Sequence, residues 1–503
     1  MILPEWTIAE LQGRMESGEL TAHRLAELYL QRIAEIDKEG PYINSVIELN
    51  PDALEIAGML DEERKAGKLR GPLHGIPILI KDNIDTADKM QTTSGSLALE
   101  GHIAVKDAFV VRQLRKAGAV ILGKTNLSEW ANFRGKRSVS GWSSRGGLTR
   151  NPYALDRSAS GSSSGSAAAV AANLCVAAVG TETDGSIISP AQTNGIVGIK
   201  PTLGLLSRSG IIPIAHSQDT AGPLARTVAD AAILLGAMTG ADGQDAATRL
   251  SKKRSFSNYG RFLDRDGLQG ARIGVVRNMA GTDPRVLKIF EHCMEVMKHL
   301  GAVLVDPANI LNYDKFDKTE REVLYYEFKA DLNKYLKSVN GSVQVHSIED
   351  IIRFNEENSH KVMPYFGQEH LLAAQERKSL REKKYRDALA KNLRLSRKEG
   401  IDAAMRKHKV DALVVPSGGP AWLIDLVNGD SINWDMESTS PPAVAGYPHI
   451  TVPAGYIFGL PVGLSFIAQA WREPELIKFA YAFEQATQVR RQPRFLPNAH
   501  LNT

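Results

Sequence analysis

The sequence is poor in cysteine and has no marked excess of charge of either sign. Only two cysteines, Cys175 and Cys293, occur in 503 residues, which is too few for a disulfide framework and gives no metal-ligand spacing. The 12 histidines form no H-E-x-x-H or similar cluster, so we expect neither a metal site nor a cofactor. The 61 Lys and Arg residues nearly balance the 57 Asp and Glu residues, and nothing in this balance indicates nucleic-acid binding.

Long hydrophobic runs are also missing. No stretch approaches the roughly 20 apolar residues that a membrane helix requires. The N-terminus lacks the charged-then-apolar pattern of a secretion signal, and residues 7–10 (Thr-Ile-Ala-Glu) have the pattern of a helix capping box. We therefore expect no membrane span and a cytoplasmic protein, with a secreted or periplasmic mature form as the alternative. We also expect a monomer, with a dimer as the alternative.

The arrangement of apolar residues predicts an α/β fold. Helical patterns over residues 7–38 and 51–67 alternate with apolar runs of strand length at 76–80, 119–122 and 175–179. Such alternation is typical of a sheet that is covered by helices on both faces. We expect a central β-sheet between two layers of helices.

The second half of the chain repeats strand-like runs around a charged, helical region. A strand pattern at 270–276 is followed by helical segments, a strand at 411–415 and further strand-like runs within 445–468. No long Pro, Gly, Ser or charged linker divides the sequence. We expect a single domain over residues 1–503, with a helical insertion at about 264–410 that covers the active site.

Residues 160–186 carry the strongest chemical signal. A Gly/Ser loop (Ser-Gly-Ser-Ser-Ser-Gly-Ser, 160–166) leads into an Ala-rich segment, an apolar run and a second turn that ends at Ser186. Small residues allow a backbone to approach a ligand and allow amide N–H groups to point into a cavity. Since a helix follows the loop directly, we interpret the loop as part of a folded site rather than as a flexible linker.

A serine hydroxyl needs a base before it becomes a good nucleophile. The best candidate is Lys81, which ends the apolar run 76–80 and would lie at a strand exit, where α/β folds place ligand sites. Burial lowers the pKa of a lysine and so favours the neutral, basic form. A lone lysine in this position is more often a surface residue, here paired with Asp82 or Asp85, and the two serine turns favour the catalytic interpretation.

A different serine hydrolase is conceivable in the same segment. Residues 161–165 match the G-x-S-x-G nucleophile elbow with Ser163 at its centre, and His216 and His449 lie downstream as possible bases. An elbow requires an apolar strand directly before it, whereas residues 151–159 are polar and contain Pro152. This pattern disfavours the elbow.

These motifs together resemble the amidase signature family. The matching blocks are Gly-Ile-Pro-Ile-Leu-Ile-Lys-Asp-Asn (75–83), Gly-Ser-Ser-Ser-Gly-Ser (161–166), Gly-Thr-Glu-Thr-Asp-Gly-Ser-Ile (180–187) and Gly-Ile-Lys-Pro-Thr (198–202). The resemblance extends over nearly the whole chain through further blocks at 124–130, 149–152, 219–226 and 459–464. It implies an amidase signature fold with a central mixed sheet.

The resemblance also implies roles for individual residues. Ser186 corresponds to the nucleophile, Ser162 to a bridging serine that follows a cis peptide bond, and Lys81 to the base. Such an enzyme hydrolyses a carboxamide to a carboxylate and ammonia through an acyl-enzyme. The oxyanion hole would be formed by the backbone amides of Thr183, Asp184, Gly185 and Ser186.

Resemblance within the family also bears on the substrate. Residues 181–186 and 130–135 are most similar to the bacterial peptide amidases, which hydrolyse C-terminal peptide amides. On this basis we expect the substrate to be a small-molecule or peptide amide. Its expected contacts are Asn132, Phe133, Trp142, Ser162 and Ser163.

The sequence departs from the common family pattern at two positions. Asp184 stands where most members have glycine, and it either receives a polar group of the substrate or caps the turn. Ile188 stands where many members have arginine, so an ion pair formed by that arginine should be absent.

Other functions remain open from the sequence. An aryl acylamidase or a broad-specificity fatty-amide or aliphatic amidase would use the same triad. A glutaminase component of a tRNA-dependent transamidase would need partner chains. A non-catalytic binding protein on the amidase fold is disfavoured because Lys81, Ser162 and Ser186 are all present.

Overall fold

The structure is a computed structural model that describes residues 3–339, 343–432, 436 and 438–499. The strands are β1 Val46–Leu49, β2 Pro77–Lys81, β3 Val120–Thr125, β4 Trp142–Ser143, β5 Gly147–Leu148, β6 Ala177–Glu182, β7 Val197–Lys200, β8 Thr220–Ala225, β9 Arg272–Val275, β10 Val303–Val305, β11 Ala412–Pro416, β12 His449–Ile457 and β13 Leu460–Ile467.

The helices are α1 Ile8–Glu16, α2 Ala22–Arg32, α3 Ala53–Lys65, α4 Phe109–Lys116, α5 Ser164–Ala171, α6 Ile188–Thr193, α7 Val228–Met238, α8 Pro284–His299, α9 Asp317–Leu336, α10 Ile348–Glu357, α11 Ser359–Val362, α12 Glu369–Gln375, α13 Lys383–Leu393, α14 Asp402–His408, α15 Ser440–Ala445 and α16 Glu473–Thr487. Two π-helical stretches, Ile33–Glu39 and Arg394–Ile401, continue α2 and α13.

One large sheet organises the described residues. Its 11 strands lie in the order β1-β3-β2-β6-β8-β7-β12-β13-β11-β9-β10. β2 runs parallel to β3 and β6, and β9 runs parallel to β10 and β11, whereas the remaining neighbours are antiparallel. The sheet is therefore mixed and is flanked by helices, which confirms the predicted α/β fold class.

The burial of the central strands explains how the site is positioned. Every residue of β2, β3 and β6 is buried, as expected for strands that are covered on both faces and read as continuous apolar runs. β2 and β6 are neighbours and parallel, so their C-terminal ends lie at the same edge. That edge carries Lys81 at the end of β2 and Glu182 at the end of β6.

Helix α5 is unusually well suited to lie deep in the protein. All of its residues are buried, and they are small, so the helix can approach the strands closely. A Cβ atom at Gly165 would lie 2.2 Å from the carbonyl oxygen of Ser45, which is closer than any side chain tolerates. The Gly/Ser loop at the start of α5 is thereby fixed inside the fold.

The charged, helical part of the chain forms a second hydrophobic cluster. Residues of α9, α10 and α12 pack there against Trp130, Ile212 and Ile214. The range 264–410 also contributes β9 and β10 to the sheet. Helix α9 therefore lies against the segments that surround the 212–219 loop.

Two expectations from composition concern membranes and thiols. Over the described ranges, none of the helices combines the length and apolar character that crossing a membrane would require. Cys175 and Cys293 are both unpaired and buried, in agreement with the absence of a disulfide framework predicted from their number.

Candidate active site

Lys81 lies at the centre of a group of hydroxyl oxygens. Its side chain is fully buried, and its nitrogen lies 2.8 Å from Ser162 Oγ and 3.0 Å from Ser163 Oγ. The hydroxyl and carbonyl oxygens of Thr181 lie 2.9 and 3.2 Å from the same nitrogen. The predicted position of Lys81 at a strand exit is confirmed, and the fold brings it together with two of the candidate serines.

The environment of Lys81 favours its neutral form. Burial lowers the pKa of Lys81 to about 7, against the opposing effect of the Glu182 and Asp219 carboxylates. A lysine with this pKa is partly unprotonated at neutral pH and can therefore accept a proton.

Close packing fixes the loop that carries Ser162. The Gly161–Ser162 peptide bond is cis, as the family resemblance implies. The carbonyl oxygen of Ser162 accepts a hydrogen bond from the Ser128 N–H at 3.1 Å. A Cβ atom at Gly161 would lie 2.2 Å from Ser128 Oγ, so any larger residue here would displace the Ser128 side chain.

Ser186 lies on the turn between β6 and α6. The Glu182 carboxylate accepts hydrogen bonds from the N–H groups of Ile187 and Ile188 at 2.7 and 3.0 Å. The Ser186 carbonyl oxygen accepts one from the Ser163 N–H at 3.1 Å. The two serine turns are thus joined directly through their backbones, and Ser186 is buried beside the serine loop that contacts Lys81.

The start of this turn is held by residues from the 212–219 loop. Thr183 Oγ1 donates a hydrogen bond to Asp219 Oδ1 at 2.5 Å, and the other oxygen of Asp219 accepts from the N–H groups of Ile214 and Ala215 at 2.9 and 2.8 Å. Burial raises the pKa of Asp219 to about 6, while the hydrogen bond from Thr183 opposes this rise.

Two backbone N–H groups of the turn have no hydrogen-bond partner among the described residues. Within the described residues, no hydrogen bond engages the N–H of Asp184 or of Ser186. Both donors are consequently available to a bound group. The carboxylate of Asp184 accepts a hydrogen bond from Ser440 Oγ at 2.6 Å, and burial raises its pKa.

Asn132 lies on a sharply bent segment. Trp130, Ala131 and Asn132 all have left-handed backbones, with φ angles of 53°, 53° and 70°. The side-chain oxygen of Asn132 is buried and has no hydrogen-bond partner among the described residues. An acceptor without a partner in this position is suited to a donor that arrives with a ligand.

The aromatic residues expected near the substrate take part in ring packing. Phe133 stacks on His370, with centroids 4.9 Å apart and planes 8° apart, and it also contacts Phe328 edge-on at 5.1 Å. Trp142 makes an edge-on contact with Phe366 at 5.2 Å. These contacts connect the segment between the lysine and serine blocks to the helical region.

A cavity of about 450 Å³ is lined in part by Thr181, the residue whose hydroxyl contacts Lys81. The cavity lining includes Asn83, Thr181 and Thr183 together with Lys334 and Tyr335 of α9. Of the described residues that line this cavity, none is a candidate catalytic serine. The distances around Lys81, rather than the cavity, therefore locate the reacting groups.

Several functional residues were not singled out from the sequence. Thr181 and Glu182 lie in the same small-residue block as Ser186, and Asp219 opens the block 219–226. Each was visible only as a polar residue within a motif. The contacts of Thr181 with Lys81 and of Asp219 with Thr183 join segments that are distant in the sequence, whereas the contact of Glu182 with Ile187 lies within the turn itself.

The histidines considered as alternative bases lie elsewhere. His449 Nε2 is 2.6 Å from Ser465 Oγ. His216 Nδ1 is 2.7 Å from Asp331 Oδ2, and its other ring nitrogen is 3.5 Å from Glu327 Oε1. Ser163 instead contacts Lys81, so the structure does not support the nucleophile-elbow alternative.

His216, Glu327 and Asp331 also have the composition of metal ligands. Their ligand atoms all lie within 4.8 Å of one another. Each imidazole nitrogen already faces a carboxylate, and this arrangement is that of a paired histidine bridging a loop and a helix.

Comparison with known proteins defines the class of protein. The Amidase family model matches residues 24–477. The crystal structure of native peptide amidase from Stenotrophomonas maltophilia is 51% identical, with a TM-score of 0.93 over 97% of this chain and 98% of that one.

Curated sequences give the same result over almost the full length. A probable amidase of Arabidopsis thaliana is 42% identical over 98% of this chain and 92% of its own length. A glutamyl-tRNA(Gln) amidotransferase chain of Symbiobacterium thermophilum is 34% identical over 95% of this chain and 96% of its own length.

The chain belongs to the amidase signature family. It is an amide-hydrolysing enzyme and matches peptide amidase structures closely. The family and the enzyme class expected from the motifs are both confirmed.

Proposed function

We propose that the protein hydrolyses the C-terminal amide of peptides through a triad of Ser186, Ser162 and Lys81. The observation that carries the proposal is the buried Lys81 nitrogen 2.8 Å from Ser162 Oγ, beside the turn that bears Ser186. The 51% identity to a peptide amidase, against 34% to an amidotransferase chain, supports this substrate class.

The first half of the reaction acylates the enzyme. Neutral Lys81 takes a proton from Ser162 as Ser162 takes the hydroxyl proton of Ser186, and Ser186 Oγ bonds to the carboxamide carbon. The carbonyl π electrons move to oxygen. When the tetrahedral intermediate collapses, the C–N bond breaks and the proton returns through Ser162 to nitrogen, which leaves as ammonia.

The second half releases the acid. Water gives a proton to the same relay and attacks the ester carbon of the acyl-enzyme. The second tetrahedral intermediate collapses with return of the proton to Ser186 Oγ. The immediate products are the peptide carboxylic acid and the free enzyme, and the acid then ionises to the carboxylate by giving its proton to ammonia or to solvent.

We assign stabilisation of the oxyanion in both tetrahedral intermediates to the backbone of the turn that contains the nucleophile. The donors are the N–H groups of Thr183, Asp184, Gly185 and Ser186. Their proposed role is supported by the open N–H groups of Asp184 and Ser186 and by the contacts that fix the turn. Loss of one such donor typically costs about 3 kcal/mol of transition-state stabilisation.

Asn132 and Ser163 are proposed to position the substrate. The buried, unpartnered oxygen of Asn132 supports acceptance of a peptide N–H. The role proposed for Ser163 is supported by the hydrogen bond that its hydroxyl oxygen accepts from Lys81, which places this hydroxyl next to the relay. Phe133 and Trp142 are assigned to the wall of the site, where their ring packing holds the bent segment in place.

The helical part of residues 264–410 is proposed to cover the active site of a single domain spanning residues 1–503. The lining of the cavity supports this, because Lys334 and Tyr335 of α9 line the same cavity as Thr181, whose hydroxyl contacts Lys81. We also propose that the monomer is active, since every group of the triad comes from one chain. Light scattering coupled to size exclusion tests the oligomeric state.

The test is a panel of three substrates with wild type and Ser186→Ala. The panel contains a short peptide amide, the same peptide with only internal amides, and the corresponding anilide. Ammonia release from the peptide amide alone, lost in Ser186→Ala, is the expected result. Preferential release of aniline would assign the enzyme to the aryl acylamidases, and unchanged activity in Ser186→Ala would refute the triad.

A further inference from the structure

A short loop, residues 216–218, makes hydrogen bonds both to helix α9 and to residues 183–186, the turn that carries the proposed oxyanion donors. Consecutive residues 216, 217 and 218 bind three carboxylates on α9. The His216 N–H donates to Asp331 at 3.1 Å, the Ser217 N–H donates to Glu327 at 2.9 Å, and the Gln218 amide donates to Glu320 at 2.8 Å.

The order of these contacts shows that the loop follows the helix. Residues 320, 327 and 331 are spaced by seven and four positions, which places them on one face of a helix. As the loop advances from 216 to 218, its partners move back along α9 from 331 to 320. The loop is therefore docked in a fixed register over about three turns.

Gln218 is the point at which this loop reaches the catalytic turn. Its Nε2 atom donates to the Glu320 carboxylate and also to the carbonyl oxygen of Thr183, at 3.2 Å. Both partners are acceptors, so only the NH₂ end of the amide fits between them, and the side chain is 3% exposed. The orientation of the amide is fixed by these two contacts.

The hydrogen bond from Gln218 to the Thr183 carbonyl also affects the orientation of the Asp184 N–H. The carbonyl of Thr183 and the N–H of Asp184 belong to one planar trans peptide unit, in which they point in opposite directions. A donor that holds the carbonyl therefore also sets the direction of the N–H. That N–H is one of the proposed oxyanion donors and has no partner among the described residues.

We propose that Gln218 is a positioning residue that orients the Asp184 N–H toward the oxyanion and fixes that orientation relative to α9. This inference rests on the proposed function. The hydrogen bond from Thr183 Oγ1 to Asp219 anchors the side chain of the same residue, so Gln218 acts on the peptide plane and Asp219 on the side chain. Without the Gln218 amide, the Thr183 carbonyl loses the donor that orients the peptide plane between Thr183 and Asp184.

The test compares Gln218→Met with Gln113→Met. Gln113 donates one amide hydrogen bond to the Thr239 carbonyl at 2.7 Å, away from the groups assigned to the reaction, so it matches the chemistry of the change. Both variants are assayed for kcat and KM with a peptide amide. The concentration of active enzyme is determined by titration with an activated ester, so that kcat is calculated per active site and excludes misfolded protein.

A peptide aldehyde provides the readout that a merely structural role would leave unchanged. Ser186 Oγ bonds to the aldehyde carbon, its proton passes to the Ser162–Lys81 relay, and the π electrons of the carbonyl move to oxygen. The carbon becomes tetrahedral, and its oxygen occupies the oxyanion position. We expect Gln218→Met to lower kcat about 10- to 100-fold, as for a weakened oxyanion donor. Aldehyde affinity should fall by a similar factor, with KM within about threefold of wild type.

Other outcomes separate the possibilities. If kcat and aldehyde affinity of Gln218→Met match those of Gln113→Met, the inference is wrong. A rise in KM with unchanged kcat would also overturn it. If Gln218→Met does not fold, Gln218→Asn replaces it, because the shorter amide cannot reach both acceptors, and parallel losses of kcat and aldehyde affinity are again expected.

Ser186→Ala distinguishes failure of this inference from failure of the proposed function. If Ser186→Ala still releases ammonia, the proposed mechanism fails whatever Gln218 does. If Ser186→Ala is inactive while Gln218→Met equals its control, only the role of Gln218 is refuted.

Discussion

The side-chain nitrogen of Lys81 lies 2.8 Å from the hydroxyl oxygen of Ser162, and the side chains of both residues are fully buried. This contact joins the end of a central strand to a loop 81 residues further along the chain. In the proposed mechanism, a neutral lysine and a hydroxyl at this distance act as a proton relay that needs no histidine. We expect this geometry to determine how the rate and the stability of the protein depend on pH.

The rate should depend on the protonation of Lys81. Its pKa is lowered to about 7 by burial, so kcat/KM for an uncharged amide should rise with pH through about 7 and level off above it. The measurement is a pH–rate profile between pH 5 and 9, in which Lys81→Met should be inactive throughout. A flat or falling wild-type profile would remove Lys81 from the base role.

Lys81 should also affect the pH dependence of stability. Its pKa is lower in the folded state than in the unfolded chain, so between about pH 7 and 10 the unfolded chain binds a proton that the folded protein does not. The free energy of unfolding of wild type relative to Lys81→Met should therefore increase as pH rises through this window. Urea unfolding of both proteins at pH 7, 8 and 9 measures this difference in the free energy of unfolding. A difference that stays constant over these pH values would contradict a lowered pKa of Lys81.

Thr181→Val should weaken the relay without a change of shape. The Thr181 hydroxyl oxygen accepts hydrogen bonds from Lys81 at 2.9 Å and from Asn83 at 3.0 Å. Removal of this acceptor disfavours the charged lysine, so the pH–rate profile should move to lower pH. We expect kcat at the plateau to fall about tenfold because Lys81 is less well aimed at Ser162.

A matched control for this change is Thr239→Val. The Thr239 hydroxyl donates to the Gly236 carbonyl at 2.8 Å at the end of α7, away from Lys81. The Thr239→Val substitution should leave both kcat and the pH–rate profile at wild-type values. Equal effects of the two substitutions would show that loss of a buried hydroxyl, and not its contact with Lys81, is responsible.

The buried ion pair between Arg134 and Glu129 should stabilise the bent segment that carries Asn132. The pair is separated by 2.8 Å and both side chains are inaccessible to solvent, while Arg134 also donates to the carbonyl oxygens of Val362 and Phe366. Arg134→Met leaves a buried carboxylate without its partner, so we expect a loss of about 3–5 kcal/mol in the free energy of unfolding.

Arg24→Met provides the comparison for this loss. Arg24 pairs with Glu27 on α2, and their side chains are 49% and 48% exposed. Surface pairs of this kind contribute about 0–1 kcal/mol. Urea denaturation of both variants measures the difference, and similar losses would mean that Arg134 has no special structural role.

The sequence was sufficient for the local parts of the site. An apolar run of strand length ending in lysine predicted the exit of β2, and the small residues of 160–166 predicted a loop packed within the fold. Both are local patterns with a direct physical cause. The family resemblance then assigned roles to Lys81, Ser162 and Ser186.

The supporting contacts were beyond the reach of sequence patterns. Gln218 reaches Thr183 across 35 residues and Glu320 across 102, and no periodicity or turn signal relates these positions. Asp219 likewise looks like an ordinary loop carboxylate until the fold brings Thr183 against it. Such partners are brought together by the packing of α9 against residues 212–218, which only the assembled structure specifies.

The most direct measurement of the central claim is the location of the acyl group on the trapped enzyme. Wild type is treated briefly with an activated peptide ester, quenched in acid and cleaved after Glu182, which separates Ser162 and Ser163 from Ser186. Mass spectrometry should find the acyl group on the fragment that contains Ser186, and none on Ser186→Ala. An acyl group on Ser162 or Ser163 would contradict the proposed mechanism.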